Sequence, residues 1–438
     1  MHVAVAVLKQ DWKITMHKFI FDGMGTGKTK RALELLKNYR RVLVICPAAV
    51  INTTWRPQIL EVYKGERYSS EIGLSDMNSL AMTPFVLCSY NQTQKVLDRK
   101  LKFDAMIVDE SHYVKSVRSN RHKTVAALSR IIPNVLMLTG TPTPKDIEDI
   151  YGQVSVMYPF KKTRIEAYGS AYGSLTAFRM EYGKGMPMHF GAQSVTKWTY
   201  SDESARRVAQ DLKGDVLSRR ELDIKQPEHL WVKTVKTDDE TKAFDEWERT
   251  WSLNSDTFND GGEVYADTAS AKANKYGQLD DSFAYDESGI AHYFGESKIS
   301  AVQQAIKAFD PILVWVRYKG MAQLIRKRFP SSSISLRTLI DTVGLDEVSA
   351  YPIVFANPAT FGTGVDGLQK HMSRQLWLDL PWTSADYVQA NARLIRRGQV
   401  ETPEILVADT KWNRRVMQVI QGRARLDDII KQPIAKDK

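Results

Sequence analysis

The stretch "FIFDGMGTGKTKRALELL", residues 19 to 36, constrains the fold more than any other part of the chain. A short apolar run meets a glycine-rich turn, and Lys28-Thr29 then opens an amphipathic, helix-forming segment. A strand that passes through a tight turn into a helix is the first half of a βαβ unit, which builds parallel sheets. The same turn suits an anion. Glycines let the backbone approach closely, successive N–H groups wrap a phosphate, and the positive end of the following helix adds attraction. Gly23, Gly25, Thr26 and Gly27 would form the cradle, Lys28 would reach the β- and γ-phosphates, and the Thr29 hydroxyl would ligate Mg²⁺. The generic pattern asks for Gly five residues before Gly27, where this chain has Asp22. A glycine-rich turn alone would be an ordinary strand-to-helix connection; Lys-Thr after a strand is what points to a nucleotide.

The rhythm around that turn extends the reading. Residues 19 to 140 alternate short apolar runs ("FIF", "RVLVIC", "FVLCSY", "FDAMIVDE", "NVLMLTGTP") with polar helical stretches, as buried parallel strands and crossover helices do. The rhythm returns between residues 311 and 410 at "PILVWVRY", "YPIVFANP", "RQLWLDLPW" and "EILVADT". The fold class expected is α/β, with one lobe over residues 1–157, a second over 298–438, and an insertion or bridge over 158–297. That middle holds about half of the chain's aromatics, and "DDETKAFDEWERTW" and "ESKISAVQQAIKAF" read as helices, so it is expected to be largely helical. Its aromatics read first as core and second as base-stacking platforms.

A phosphate cradle needs an acidic partner at a neighbouring strand end, and "AMIVDESH" supplies one. Asp109 would hold Mg²⁺ through its water shell, and Glu110 would orient and deprotonate the attacking water. His112 stands too far along to act on phosphate and would report the site to its surroundings. Lys plus Arg exceed Asp plus Glu by 61 − 51 = 10, which fits either a basic surface or a polyanion-binding groove. No apolar run approaches the roughly 18 to 20 residues of a membrane span. The start lacks a basic lead-in and a cleavage site, so no secretory leader is expected, and Cys46 and Cys88 read as reduced core residues of a cytoplasmic protein. No nuclease motif or zinc-ligand cluster is apparent.

With these two sites in place, the order of the remaining segments resembles the Swi/Snf-type branch of superfamily 2 helicase-like ATPases, particularly its compact phage and bacterial members. "DGMGTGKT" resembles the branch's first motif, usually DEMGLGKT, which accounts for Asp22. "VLVICPAAVINTTW" is similar to motif Ia, with Trp55 in its tryptophan position, "VLCSYNQ" to motif Ib, "DESH" to motif II and "LMLTGTP" to motif III. "PILVWVRYKGMAQLI", "NPATFGTGVDGLQ" and "QANARLIRRGQ" resemble motifs IV, V and VI, and "LSRRELDIKQPEH" a paired-arginine brace before the second lobe. Two departures stand out. Gln10 lies too close to Phe19 for the family's upstream adenine-reading glutamine, and motif V carries Asp366 where Asn is usual.

The resemblance implies two RecA-like lobes with ATP in the cleft between them. Arg393 and Arg396, three apart on an expected helix, would place guanidinium forks on the γ-phosphate. Gly364 and Asp366 of motif V would also line the nucleotide. Thr54, Ser89, Tyr90 and Arg317 would touch nucleic-acid phosphates, contacts that carry no base information. His112, Thr139, Thr141 and Gln389 would couple cleft to track. The activity implied is an ATP- and Mg²⁺-dependent translocase on duplex or branched DNA, with phage or host replication and recombination proteins as further partners. A strand-separating or branch-migrating helicase is the alternative, and an ATPase-dead DNA-binding scaffold the remote one.

Overall fold

The computed structural model describes residues 15–63, 83–190, 193–221, 224, 227–253, 257–258, 263–306, 311–361, 367–399 and 401–431. They fall into two compact units, Met1–Leu222 with Arg423–Lys438, and Asp223–Gly422.

In the first unit the five apolar runs form β1 (His17–Ile20), β2 (Val42–Cys46), β3 (Phe85–Ser89), β4 (Ala105–Asp109) and β5 (Asn134–Leu138). An antiparallel hairpin follows, β6 (Gly183–Phe190) with β7 (Gln193–Tyr200), and then β8 (Val216–Ser218). The sheet order is β3-β2-β4-β5-β1-β8, parallel throughout. Alternation along β4 shows why the runs are unbroken. Met106 and Val108 enter one core, Ala105 and Ile107 the other, so both faces are covered.

The second unit begins with β9 (His229–Lys233). The helix Asp238–Thr250 is announced by a reciprocal cap: Glu240 N–H donates to Thr237 Oγ1 (3.2 Å) and Thr237 N–H to the Glu240 carboxylate (2.7 Å). Two short antiparallel pairs follow, β10 (Ser252–Leu253) with β11 (Val264–Tyr265), and β12 (Phe283–Tyr285) with β13 (Ala291–Tyr293). Then come β14 (Ile312–Trp315), β15 (Ser333–Ser335), β16 (Ile353–Ala356), β17 (Arg374–Trp377) and β18 (Glu404–Asp409). Their order is β15-β16-β14-β17-β18-β9, again parallel.

The architecture is therefore α/β, two parallel six-stranded sheets each flanked by helices. The segment 158–297 divides between the two units and holds the β6–β7 hairpin besides its helices. Many of its aromatics are core, although Phe160, Trp251 and Tyr265 are exposed. Tyr172, Phe178 and Tyr182 pack into the first unit, while Trp247, Phe258 and Phe294 anchor a small cluster of their own. Among the described residues no helix is long and apolar enough to cross a membrane. Cys46 and Cys88 are buried free thiols, and burial pushes Cys88 up to about 12.

Candidate nucleotide site

The chain leaves β1 and turns through Gly25 (φ 71°) and Gly27 (φ 89°) before the helix Lys28–Leu35 begins. Both sit in left-handed backbone that a side chain would strain. The loop closes on one carbonyl: Gly23 O accepts from Lys28 Nζ (2.9 Å) and from Thr26 Oγ1 (2.8 Å). Lys28 is buried, and a Cβ on Gly140 would stand 3.4 Å from its Nζ, so the exit of β5 packs directly on the ammonium. The Thr29 hydroxyl makes no hydrogen bond among the described residues, which leaves its lone pairs for a ligand. Beside the loop lies a cavity of about 420 Å³ lined by Thr26, Gly27, Lys30, Arg31, Glu34, Leu35 and Arg220, of a size that takes a nucleoside.

Asp22, the departure from the generic pattern, has a structural job. Its buried carboxylate accepts from the Arg220 N–H (2.8 Å) and the Ser218 hydroxyl, with Arg31 3.5 Å away. Gly23 N–H in turn donates to Arg220 O (2.6 Å). The paired-arginine segment thus extends the β1–β8 pairing along the phosphate loop. Glu221 follows, its carboxylate so close that a Cβ on Gly23 would meet it at 2.0 Å. Lys431 bridges Glu221 (2.9 Å), Asp427 (3.4 Å) and Gly140 O (3.2 Å). Burial opposes its charge, but Asp427 and Glu221 outweigh burial and hold its pKa above the usual range.

The acidic strand end sits where β4 stops. Asp109 Oδ2 accepts from the Trp55 indole N–H (2.8 Å), and Oδ1 from the Glu110 N–H (2.9 Å). Burial raises the Asp109 pKa, while the Trp55 bond, the Lys28 charge and the Glu110 amide pull it down. Glu110 turns through left-handed backbone (φ 50°), a sharp exit that aims its carboxylate off the strand. His112 Nδ1 lies 2.9 Å from Thr139 Oγ1, 3.5 Å from Thr141 Oγ1 and 3.4 Å from Glu110 Oε2. Burial, then the charges of Lys115, Lys28 and Arg121, push His112 down to about 3, so at neutral pH the ring beside Glu110 is uncharged. Glu110, His112, Thr139 and Thr141 are brought together as one connected group.

Two expected phosphate contacts are otherwise engaged. Tyr90 is buried and its hydroxyl donates to Asp109 O (2.6 Å), holding the end of β4. Ser89 is buried and its hydroxyl donates to Gln92 Oε1 (3.0 Å) within a cap. Both hydroxyls are thus engaged by the protein's own backbone and side chains. Thr54 stays half-buried in the turn Ile51–Trp55.

In the second unit, Arg317 stacks on the rings of Tyr318 (5.2 Å) and Trp382 (4.9 Å) and remains partly exposed. Gln389 is buried on the helix Ser384–Asn391, which leaves coupling and excludes a direct contact. That helix stops before the two arginines. Arg393 N–H bonds to Ala390 O and Arg396 N–H to Leu394 O, so both lie on turns beyond it. Leu394 and Ile395 are both buried, and Gly398 (φ 82°) reverses the chain soon after. Gly364 and Asp366 lie outside the described residues, as does Gln10.

Residues 3–174 match the SNF2-related domain. The SWI/SNF-related matrix-associated actin-dependent regulator of chromatin subfamily A-like protein 1 of Bos taurus is 28% identical over 222 residues, 48% of this chain and 22% of that protein. The DNA annealing helicase and endonuclease ZRANB3 of Bos taurus is 24% identical over 214 residues, 46% of this chain and 19% of its own length. The chain thus spans about a fifth of the length of these curated relatives. Among solved structures, a Sulfolobus solfataricus SWI2/SNF2 ATPase core in complex with dsDNA aligns over 95% of this chain and 89% of its own, at 16% identity and a TM-score of 0.39.

Proposed function

We propose that this chain, which belongs to the Swi/Snf-type branch of the superfamily 2 helicase-like ATPases, hydrolyses ATP in response to DNA and translocates on duplex or branched DNA without reading its sequence. The observation that carries the reading is the closed glycine loop on Lys28 together with the Asp109–Glu110 strand end, tied through His112 to Thr139 and Thr141. Lys28 holds the β- and γ-phosphate oxygens of the substrate. Thr29 and Asp109 hold Mg²⁺, which when bound neutralises charge between those phosphates. Glu110 orients the attacking water and accepts its proton, and neutral His112 keeps that carboxylate aimed without adding charge of its own. Arg393 and Arg396 serve the charge that builds on the γ-phosphate, with Gly364 and Asp366 beside the nucleotide. Thr54 and Arg317 remain as phosphate contacts on the track, and Thr139, Thr141 and Gln389 carry coupling. The SWI/SNF-related and annealing-helicase names of the relatives support DNA as the partner.

The test is ATP hydrolysis with and without DNA. Weak basal turnover should rise strongly with duplex or branched DNA of any sequence. Lys28→Ala should abolish it, and Glu110→Gln should bind Mg-ATP yet turn over slowly. Full-rate hydrolysis without DNA would refute the coupling. Triplex displacement distinguishes pure translocation from the helicase reading, which efficient opening of a tailed duplex would favour.

A further inference from the structure

No Asp or Glu occurs between Glu110 and Asp146, a stretch that carries Lys115, Arg118, Arg121, Lys123, Arg130 and Lys145. The structure gathers part of that charge around a second cavity of about 490 Å³, walled by the helices Asn120–Ser129 and Glu148–Met157 and by the segment up to Leu175. It lies on the other face of the first sheet from the phosphate loop. Val125 and Ala126 of its wall pack into the core of that face, whereas Ala32 and Leu33 of the helix Lys28–Leu35 pack into the opposite one. The lining includes His122, Lys123, Arg130 and Arg164 and no carboxylate.

Arg164 is the informative residue. It is only 8% exposed, and its guanidinium donates to Tyr172 O (3.0 Å) and Tyr158 O (2.9 Å) and lies over the Tyr151 ring at 6.0 Å. Among the described residues no carboxylate pairs with it. Carbonyl dipoles offset part of the burial of a cation, but a full counter-charge is missing, and an unpaired buried charge is strongly unfavourable. His122 supplies no counter-charge. Its Nδ1 bonds to Val114 O (2.7 Å), Ser155 Oγ lies 3.3 Å from its Nε2, and burial with the Arg164 charge holds the ring neutral. Lys123 and Arg130 stand exposed at the mouth with no ion pair among the described residues. The Ser155 hydroxyl already donates to Gly152 O (2.8 Å), so the donors for a tetrahedral dianion are the cation on the floor and the two at the rim.

We propose that this cavity is a second anion site that takes a phosphate group, separate from the nucleotide loop. The group could come from a nucleic-acid backbone or from a small phosphate compound, and the two sources are separable. Pyrophosphate is titrated calorimetrically into the Lys28→Ala chain, which removes the loop's own contribution, and into the same chain carrying Lys123→Ala and Arg130→Ala. Both added substitutions are at exposed positions, so an unchanged melting temperature verifies the fold. In parallel, the affinity of a random-sequence duplex is measured against salt for the unsubstituted chain and for Lys123→Ala/Arg130→Ala. Pyrophosphate affinity lowered about tenfold or more with duplex binding intact identifies a small phosphate ligand. A weaker duplex complex whose log–log salt slope shrinks by about one per lost contact identifies the DNA backbone. If neither affinity nor slope changes, the cavity is not an anion site and the proposal fails.

Discussion

Trp55→Phe isolates the one bond by which motif Ia reaches the strand-end carboxylate. The indole is fully buried, and its N–H to Asp109 Oδ2 is 2.8 Å. Phe keeps an aromatic ring in the core but leaves a buried carboxylate oxygen without its donor, a loss of about 1.5–3 kcal/mol for a charged partner. The smaller ring adds about 1 kcal/mol of lost packing, so denaturant unfolding of the first unit should show about 2.5–4 kcal/mol of destabilisation. A double-mutant cycle with Asp109→Asn separates the two parts and should return a coupling of about 1–2 kcal/mol. The sign with pH follows from the direction of the Asp109 shift. Its folded pKa is already raised, so the ionised carboxylate is a liability that grows as pH rises from the unfolded value through the folded one. Removing the indole raises the folded pKa further. The penalty of Trp55→Phe should therefore be full at neutral pH and shrink on acidification, and the acid limb of ATP hydrolysis should move to higher pH. A coupling indistinguishable from zero with an unmoved acid limb would refute the assignment of Trp55 as the residue that keeps Asp109 ionised.

Three further outcomes are expected. Gly152→Ala should destabilise the first unit by about 3 kcal/mol or more, read by thermal or denaturant melts, because its Cβ would meet the backbone carbonyl of Lys115 at 1.9 Å with nothing flexible to yield. Below pH 6.5 the unfolded chain binds a proton that folded His112, at about 3, refuses, so stability should fall by about 1.4 kcal/mol per pH unit from this group, and His112→Gln should flatten that part of the curve. Arg396→Ala should keep ATP affinity and lose about 10³-fold in turnover, Arg393→Ala somewhat less, as single-turnover kinetics would record; intact hydrolysis in either would withdraw its assignment to the γ-phosphate.

The central strands were legible because burial on both faces writes an unbroken apolar run, as in "RVLVIC" and "AMIVDE". The edge strands β8, β9 and β15 were not, since three to five half-buried residues carry no such run. The β6–β7 hairpin was hidden by the two glycines and the proline of "GKGMPMHF", which read as loop until a partner strand supplies the hydrogen bonds. At the candidate site, residue type and spacing were enough to single out Lys28, Thr29, Asp109 and Glu110. They were not enough to show what holds them. The Asp22–Arg220 bond joins residues 198 apart, and Trp55 reaches Asp109 across 54. The internal bonds of Ser89 and Tyr90 were hidden for a related reason, because hydroxyls at a strand end look alike in sequence whether they face solvent or a neighbouring group.

The two sheets place a carboxylate at comparable positions and use it differently, which shows how local charge decides between chemistry and architecture. Open parallel sheets gather ligands beyond their carboxyl strand ends. Asp109 ends β4 there, and Asp379 lies two residues past β17. Among the described residues Asp109 receives one N–H on each oxygen and no ion pair, so its carboxylate keeps free lone pairs. Asp379 is instead bonded to the fully buried Lys298 at 2.7 Å, which also meets Asp281 at 2.5 Å and Asp280 at 2.9 Å. Burial and the neighbouring Asp379 charge raise Asp281 far above the carboxylate range, while Lys298 overcomes burial to keep Asp379 low. Two ammoniums, Lys298 and Lys236 (3.9 Å from Asp280), and one shared proton thus balance three carboxylates. The result is a fixed post beside the Arg317 N–H, 3.5 Å from Asp379 Oδ2. A carboxylate saturated this way has no capacity left for Mg²⁺. Its contribution is to hold the turn on which Arg317 stacks against Tyr318 and Trp382.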